Sequence, residues 1–359
     1  MGRFIFKRFW YGILVLFWVI VVVFLLFNVL PGDPARMMLG QRADSASVAA
    51  INKDLGRDKS LAMQFLNYLN DLSAVSIHNT FDRESFWFLD SLKYGRTLKV
   101  ISFRNSTLVI KAPYFRRSYQ SKRNVSEILA EGFVNTFILA LVAMAFAIVI
   151  GISVGIVCAI YKNSIIDRVA LVFSVLGMSL PSFFVAILNA WIFAFVLVRF
   201  TGLNMSGSLF SVDDFGEGTF LNLKNLVLPA ITLGLRPLAI IVELTRNSLL
   251  EVMTQDYIRT AKAKGLSKPR VILKHALKNA MNPVVTAISG WLASLLAGAV
   301  FVEFVFDWKG IGMVIVNALE KYDFPVMMGA VLFISIILII INFFVDIIYG
   351  WLDPRIRLQ

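Results

Sequence analysis

The chain has 359 residues, 58% of them hydrophobic and only 16% charged, whereas a soluble domain covers its surface with roughly 25% charge. That balance excludes an ordinary water-soluble fold, and the formal charge of +12 lies between apolar runs and not in one patch, which argues against a nucleic-acid partner. Cys158 is the single cysteine and sits inside an apolar run, so no intrachain disulfide and no CxxC motif exists. His78 and His275 are far apart in sequence and read as ordinary surface groups, which disfavours a catalytic metal site.

Arg3, Lys7 and Arg8 precede an uncharged run from Phe9 to Leu30, too long for the apolar region of a signal peptide and followed by no small-x-small cleavage site. It reads as a retained first span. Gly132–Tyr161, Val169–Val198, Pro283–Val302 and Val326–Val345 are also long enough to cross a bilayer, and Asn225 to about Val242 is a weaker candidate interrupted by Arg236. The expected fold is an all-α integral membrane protein with six transmembrane helices and a large external segment between spans 1 and 2.

Residues 1–30 therefore form the cytoplasmic N-terminus and first span, 31–131 the external segment, and 132–359 the remaining core. In the external segment Leu61, Phe65, Tyr68, Leu69 and Leu72 recur at helical spacing, and Thr97–Ile101 and Thr107–Ile110 read as short strands. Orientation follows from the short loops. Lys162, Arg168, Arg246, Arg259, Lys262, Lys264, Lys268, Arg270, Lys274, Lys278, Arg355 and Arg357 join the N-terminal bases on one side, opposed only by Asp167, Glu251, Asp256 and Asp353. The outer loop 199–224 instead carries Asp213, Asp214 and Glu217 against Arg199 and Lys224. Both termini are expected in the cytoplasm.

No GxxxxGK[ST] loop, GxSxG elbow or HExxH motif occurs, so the chain has no phosphate cradle and no nominated nucleophile. The largest cytoplasmic loop, 246–282, is more informative. Leu250, Met253, Tyr257 and Ala261 are spaced to share one helical face, with Arg259 pointing elsewhere and Lys264-Gly265 forming a basic last turn and glycine C-cap. Ser267 and Pro269 can start a second helix whose Leu273, Ala276, Leu277 and Ala280 share a side. By composition alone this pair could equally be a basic device lying on anionic lipid.

The run Asp256-Tyr-Ile-Arg-Thr-Ala-Lys-Ala-Lys-Gly-Leu266, with Lys274-His-Ala-Leu-Lys-Asn-Ala280 and Asn282-Pro283, resembles the EAA loop of binding-protein-dependent ABC importer permeases, in their peptide/nickel branch. The resemblance extends to Leu30-Pro-Gly-Asp-Pro34, Ser126-Glu-Ile-Leu129, Leu228-Pro229, Gly298-Ala-Val-Phe-Val-Glu303 and Leu352-Asp-Pro-Arg355. It implies a coupling helix that docks in a cytoplasmic ATPase, with Ala261 and Gly265 at the small-residue positions, Leu250, Met253 and Tyr257 anchoring the helix, and Asp256, Arg259 and Lys264 in the same contact. Arg259 stands where the wider superfamily has glutamate. Lys309 replaces a proline of the family's Trp-Pro-Gly turn, which implies a less rigid turn.

The same resemblance implies a bacterial inner-membrane protein that forms half of a translocation pathway in the lipid bilayer, with a homologous second permease, two ATPase subunits holding Mg-ATP, and an external solute-binding protein. No cofactor is expected in this chain. Peptides are the expected cargo, with nickel or another small solute as the alternative. A secondary transporter would need a coupling carboxylate within its spans, and Glu243 and Asp346 lie only at span ends. A membrane-embedded enzyme is the remaining rival.

Arg236 lies near the middle of the fourth span, where an unpaired charge costs at least about 2.5 kcal/mol. It either lines the pathway and attracts an anionic group, or pairs with Glu243 seven residues on. Pro181 and Pro237 are candidate bending points. Gly290, Ser294 and Gly298 form a small-residue face for close helix packing.

Overall fold

The computed structural model describes residues 2–29, 48, 49, 52, 59–80, 82, 85, 87–103, 106–212 and 218–352. In chain order the elements are α1 (Gly2–Val29), α2 (Leu61–Leu72), β1 (Val75–Asn79), α3 (Ser91–Tyr94), β2 (Thr97–Phe103), β3 (Ser106–Lys111), α4 (Val125–Ile160), α5 (Ile165–Ser179), α6 (Ser182–Trp191) and α7 (Val198–Thr201). They continue with β4 (Phe210–Val212), β5 (Thr219–Leu221), α8 (Lys224–Val252), α9 (Asp256–Ala263), α10 (Lys268–Arg270), α11 (Leu277–Gly298), α12 (Val300–Val305), α13 (Ile311–Glu320) and α14 (Phe324–Leu352). Single π-helical stretches cover Ile192–Val196 and Val271–Ala276.

Phe4–Phe27, α4, α8 and Phe324–Ile347 are each long and apolar enough to cross a membrane, and α5 with the helix Ser182–Val196 passes the same test as a pair bent by 115°, the form of a broken span or a re-entrant loop. The remaining expected run, Pro283–Val302, is divided at Ala299 between α11 and α12 and is not among the helices long and apolar enough to cross, although the 22 residues of α11 would reach about 33 Å at the helical rise. The first half of α11 carries Lys278, Asn279 and Asn282, which makes it more polar than the others. The motif residues 30–34, the acids Asp213, Asp214 and Glu217, and residues 353–355 with Arg357 fall outside the described residues.

The chain forms two compact units, one of residues 1–10, 131–313 and 337–359, the other of residues 11–130 and 314–336. In the first, α8 packs against α4 where glycines remove side chains. A Cβ at Gly155 would sit 2.6 Å from Thr245, and one at Gly234 would sit 2.7 Å from the Ala143 carbonyl. These contacts lie among buried Leu139, Ala143, Leu226, Leu228 and Leu233, so the close approach fills the core of the span bundle. Gly290 meets nothing within 4 Å, and Ser294 is exposed, so the small-residue face of α11 is open at these two positions.

In the second unit Ser60 caps α2 by accepting from the Met63 amide, as its position before the apolar run predicts. Tyr68 of that helix is buried with Val23, Phe24, Met328 and Leu332, and Phe65 and Leu72 pack against the cluster. Leu61 stays exposed. The predicted strands are β2 and β3, joined by β1 in the antiparallel order β1-β3-β2. Nothing in the hydrophobic pattern announces β1, because its polarity is inverted: Ser76 and His78 face inward while Val75 and Ile77 face out.

His78 is thus fully buried, contrary to its reading as a surface group. It hydrogen-bonds the Ser76 hydroxyl at 3.0 Å and packs on the Tyr94 ring, 4.7 Å between centroids. Burial, with Lys111 nearby, pushes its pKa below the usual imidazole value. Around it Asp71 accepts from Lys93 at 2.9 Å and from the Tyr94 hydroxyl at 2.7 Å, and Lys111 donates to the Asp71 carbonyl at 2.6 Å. Burial brings the Lys111 ammonium down to about 8, with Asp71 opposing. The interior around β1 and β3 is therefore largely polar and aromatic.

Candidate functional site

The loop 246–282 folds as a sharply defined device at the end of α8. That helix stops at Val252, a turn follows at Met253 to Gln255, and α9 starts at Asp256. The turn resets the helical phase, so the single apolar face expected from Leu250, Met253, Tyr257 and Ala261 does not form. The residues that anchor α9 are Ile258 and Ala261, buried with Leu249, Val271, Ala276 and Ala280. Leu250 and Met253 are half-buried, Tyr257 is 43% exposed, and Leu273 is 60% exposed instead of sharing the side of Ala276 and Ala280. The π-helical stretch from Val271 rotates Leu273 out of register.

Gly265 ends α9 at φ +75°, as the glycine C-cap requires, with the Leu266 amide donating back to the Ala261 carbonyl. Pro269 occupies the first turn of α10. Tyr257 uses its hydroxyl to accept from the Asn279 side chain at 2.8 Å, which ties α9 to α11. Asp256 and Arg259, 94% and 74% exposed, pair with each other at 3.3 Å on the outward surface. Thr260, Lys264 and Gly265 complete that surface.

Beside this device stands an ion pair that reading the sequence did not assemble. Arg246, at the end of α8, donates through Nε and Nη2 to both Asp167 oxygens at 2.6 and 2.7 Å. Asp167, 1% exposed, also accepts from the Asn163 amide at 2.8 Å, and Ser164 accepts from the Asp167 amide as the cap of α5. The two residues had been counted only as charges on one side of the membrane. Bidentate geometry fixes the angle of the guanidinium, so the loop between α4 and α5 is tied to the point where α8 turns into the coupling loop.

Farther along the spans, Pro181 does more than kink a helix: it separates α5 from α6 at the 115° bend. Arg236 donates through Nη2 to the Leu180 carbonyl at that break, 3.1 Å away. It forms no pair with Glu243, because seven residues put them about 10.5 Å apart along the axis. Arg236 instead lines a small cleft with Ser182, Thr232, Trp291 and Ser294. Pro237 lies inside α8, which runs without a break from Lys224 to Val252.

Glu303 is fully buried, and its position in the sequence gave no hint of its task. It accepts from Thr136 Oγ1 and from the Gly312 amide, both at 2.6 Å, while Thr136 accepts from the Ile311 amide at 2.9 Å. A Cβ at Gly310 would overlap its carboxylate. The turn carrying Lys309 is held without proline: buried Trp308 donates to the Asn135 carbonyl at 3.1 Å, and the Asn135 side chain donates to the Lys309 carbonyl at 2.8 Å. The expectation of a looser turn is thereby corrected.

An apolar bundle whose end carries a capped, surface-presenting short helix is the architecture of an ABC importer permease. Residues 147–358 match the family described as the binding-protein-dependent transport system inner membrane component, and residues 1–85 match its N-terminal companion. The chain belongs to this family and is a multi-pass inner-membrane permease that works with ATPase subunits. It is 33% identical to the dipeptide transport system permease protein DppB of Bacillus subtilis, covering 100% of this chain and 99% of that one. It is 34% identical to the glutathione transport system permease protein GsiC of Pectobacterium atrosepticum over 94% of each. The permease of the inward-facing MetNI methionine ABC transporter shares the fold at 20% identity, with a TM-score of 0.50 over 64% of this chain and 97% of that one.

Replacing Asp167 with Asn leaves Arg246 without its buried counter-charge, a loss of about 3 kcal/mol. The purified Asp167→Asn protein is expected to melt below wild type, and the Asp167→Asn/Arg246→Met double variant to recover part of the difference. Equal melting of wild type and Asp167→Asn would show that the pair does not hold the loop.

Proposed function

We propose that the chain is the half-pathway permease of a peptide importer and that α9 is the coupling helix through which ATPase motion reaches the spans. The observation that carries this reading is the two-sided construction of α9. Ile258 and Ala261 are sunk into the core beneath the spans, while Asp256, Tyr257, Arg259 and Lys264 are presented outward. A helix built in that way transmits a push and dissipates little of it.

The rest of the assembly follows as part of the proposal. Two cytoplasmic ATPase subunits carry the Mg-ATP, a homologous permease completes the pathway, and an external solute-binding protein delivers cargo. This chain binds no cofactor and catalyses no covalent step. Both termini lie in the cytoplasm, on the side of the basic loops. ATP-driven closure of the ATPases drives α9 and opens the pathway outward, and hydrolysis resets it.

Peptides are the proposed cargo. Two similar proteins are named as dipeptide and glutathione transport system permeases, and Arg236 offers a guanidinium with one backbone bond in a cleft of the span bundle. A carboxylate is the anionic group common to such substrates, and Arg236 would attract it during passage.

Reversing the outward charges with Arg259→Glu and Lys264→Glu is expected to cut ATP-driven uptake and ATPase association about tenfold, roughly 1.4 kcal/mol of contact energy. Both residues are exposed, so the melting temperature should hold. Unaltered association and uptake would remove α9 as the docking element. The pathway role of Arg236 is tested separately with Arg236→Met, for which dipeptide uptake should fall at normal protein level; normal uptake would sink that role.

A further inference from the structure

A cleft of about 640 Å³ opens beside the coupling helix and is distinct from the outward surface assigned to the ATPase. Its apolar wall comes from Ile160 at the end of α4, Leu249 and Leu250 at the end of α8, Met253 in the turn, and Val271 and Ile272 in the π-helical stretch. Lys162, Lys262 and Lys268 stand at the same cleft, and no acidic residue lines it. All three lysines are exposed, and none forms an ion pair among the described residues. The Asp167 carboxylate, which lies near Lys162, is already taken up by Arg246.

We infer that this cleft is a binding site for an anionic phospholipid of the leaflet that borders the coupling loop. The cleft begins where α4 and α8 end, at the boundary between apolar span and basic loop, which is where lipid headgroups lie. Three unpaired ammonium groups over an apolar wall match the two halves of such a lipid: phosphate and glycerol on the lysines, upper acyl chain against Leu250, Met253 and Ile272. A free phosphate would have no use for the apolar wall, and an uncharged lipid none for the lysines. The half-buried Leu250 and Met253, which do not anchor α9 in the way their spacing predicts, gain a role here. A lipid seated in this cleft touches α4, α8, α9 and the π-helical stretch at once, so it would stiffen the joint between spans and coupling helix.

The site is tested on the assembled importer by native mass spectrometry after exchange into micelles containing phosphatidylglycerol or phosphatidylcholine. One phosphatidylglycerol per copy of this chain should be retained above the phosphatidylcholine level. The Lys162→Gln/Lys268→Gln variant should weaken that retention roughly thirty-fold, the loss expected for two headgroup lysines. A second variant, Ile272→Trp, fills the apolar end and should also lower retention with the lysines intact. Inorganic phosphate at the same concentration should not displace the lipid. Equal retention of phosphatidylcholine, undiminished retention in both variants, displacement by inorganic phosphate, or loss of the lipid on binding of the ATPase subunits to the permease would each overturn the assignment.

Discussion

Lipid offers no hydrogen bonds, so any chain that breaks a spanning helix must supply partners for the backbone groups it frees. Three breaks among the described residues are answered by polar or charged side chains. At the 115° bend beside Pro181, the Leu180 carbonyl is met by Arg236. Where α12 gives way to α13, the amides of Ile311 and Gly312 are taken by Thr136 and Glu303, and Asn135 closes the turn at Lys309. Between α4 and α5 the Asn163 amide is held by Asp167, which Arg246 fixes in turn. These contacts let the chain be irregular without being loose, and an irregular but rigid bundle is what a gated pathway needs.

The coupling loop applies the same economy at the membrane boundary. Leu249, Ile258, Ala261, Val271, Ala276 and Ala280 form one buried cluster contributed by α8, α9, the π-helical stretch and α11. Three of its six residues are alanine, so α9 lies close against the bundle end. The Asp167 and Arg246 pair locks the adjoining loop, and the Tyr257 to Asn279 bond spans the two arms of the coupling loop. Force applied to the exposed side of α9 therefore meets a joint with little slack.

Much of this was legible in the sequence because bilayer thickness sets a length that apolar runs must match. Most of the spans, the helix over 61–72, strands β2 and β3 and the glycine at 265 follow from local rules. What escaped was decided by tertiary context. Strand β1 hides because its buried side carries Ser76 and His78, packed on Asp71, Lys111 and Tyr94 from other elements. The coupling face was misassigned because a three-residue turn at Met253 to Gln255 breaks the periodicity that Leu250 to Ala261 seemed to share. The Asp167 and Arg246 pair joins residues 79 apart, and Glu303 finds Thr136 across 167, distances over which spacing says nothing. Arg236 was recognised as costly and central, but its partner turned out to be a carbonyl freed by Pro181 and not the acid two turns along its own helix.

The central claim is that α9 and the end of α8 move as one body. It is tested most directly by placing spin labels at Thr260→Cys and Asn247→Cys in a Cys158→Ser background and measuring their separation by pulsed electron resonance in the assembled importer. Both positions are exposed in this chain, and because Thr260 lies on the surface assigned to the ATPase, the labelled importer must first be shown to retain ATP-driven uptake. The account predicts the same distance distribution in the nucleotide-free and ATP-bound states. A distribution that shifts between those states would show a hinge within the joint and contradict it.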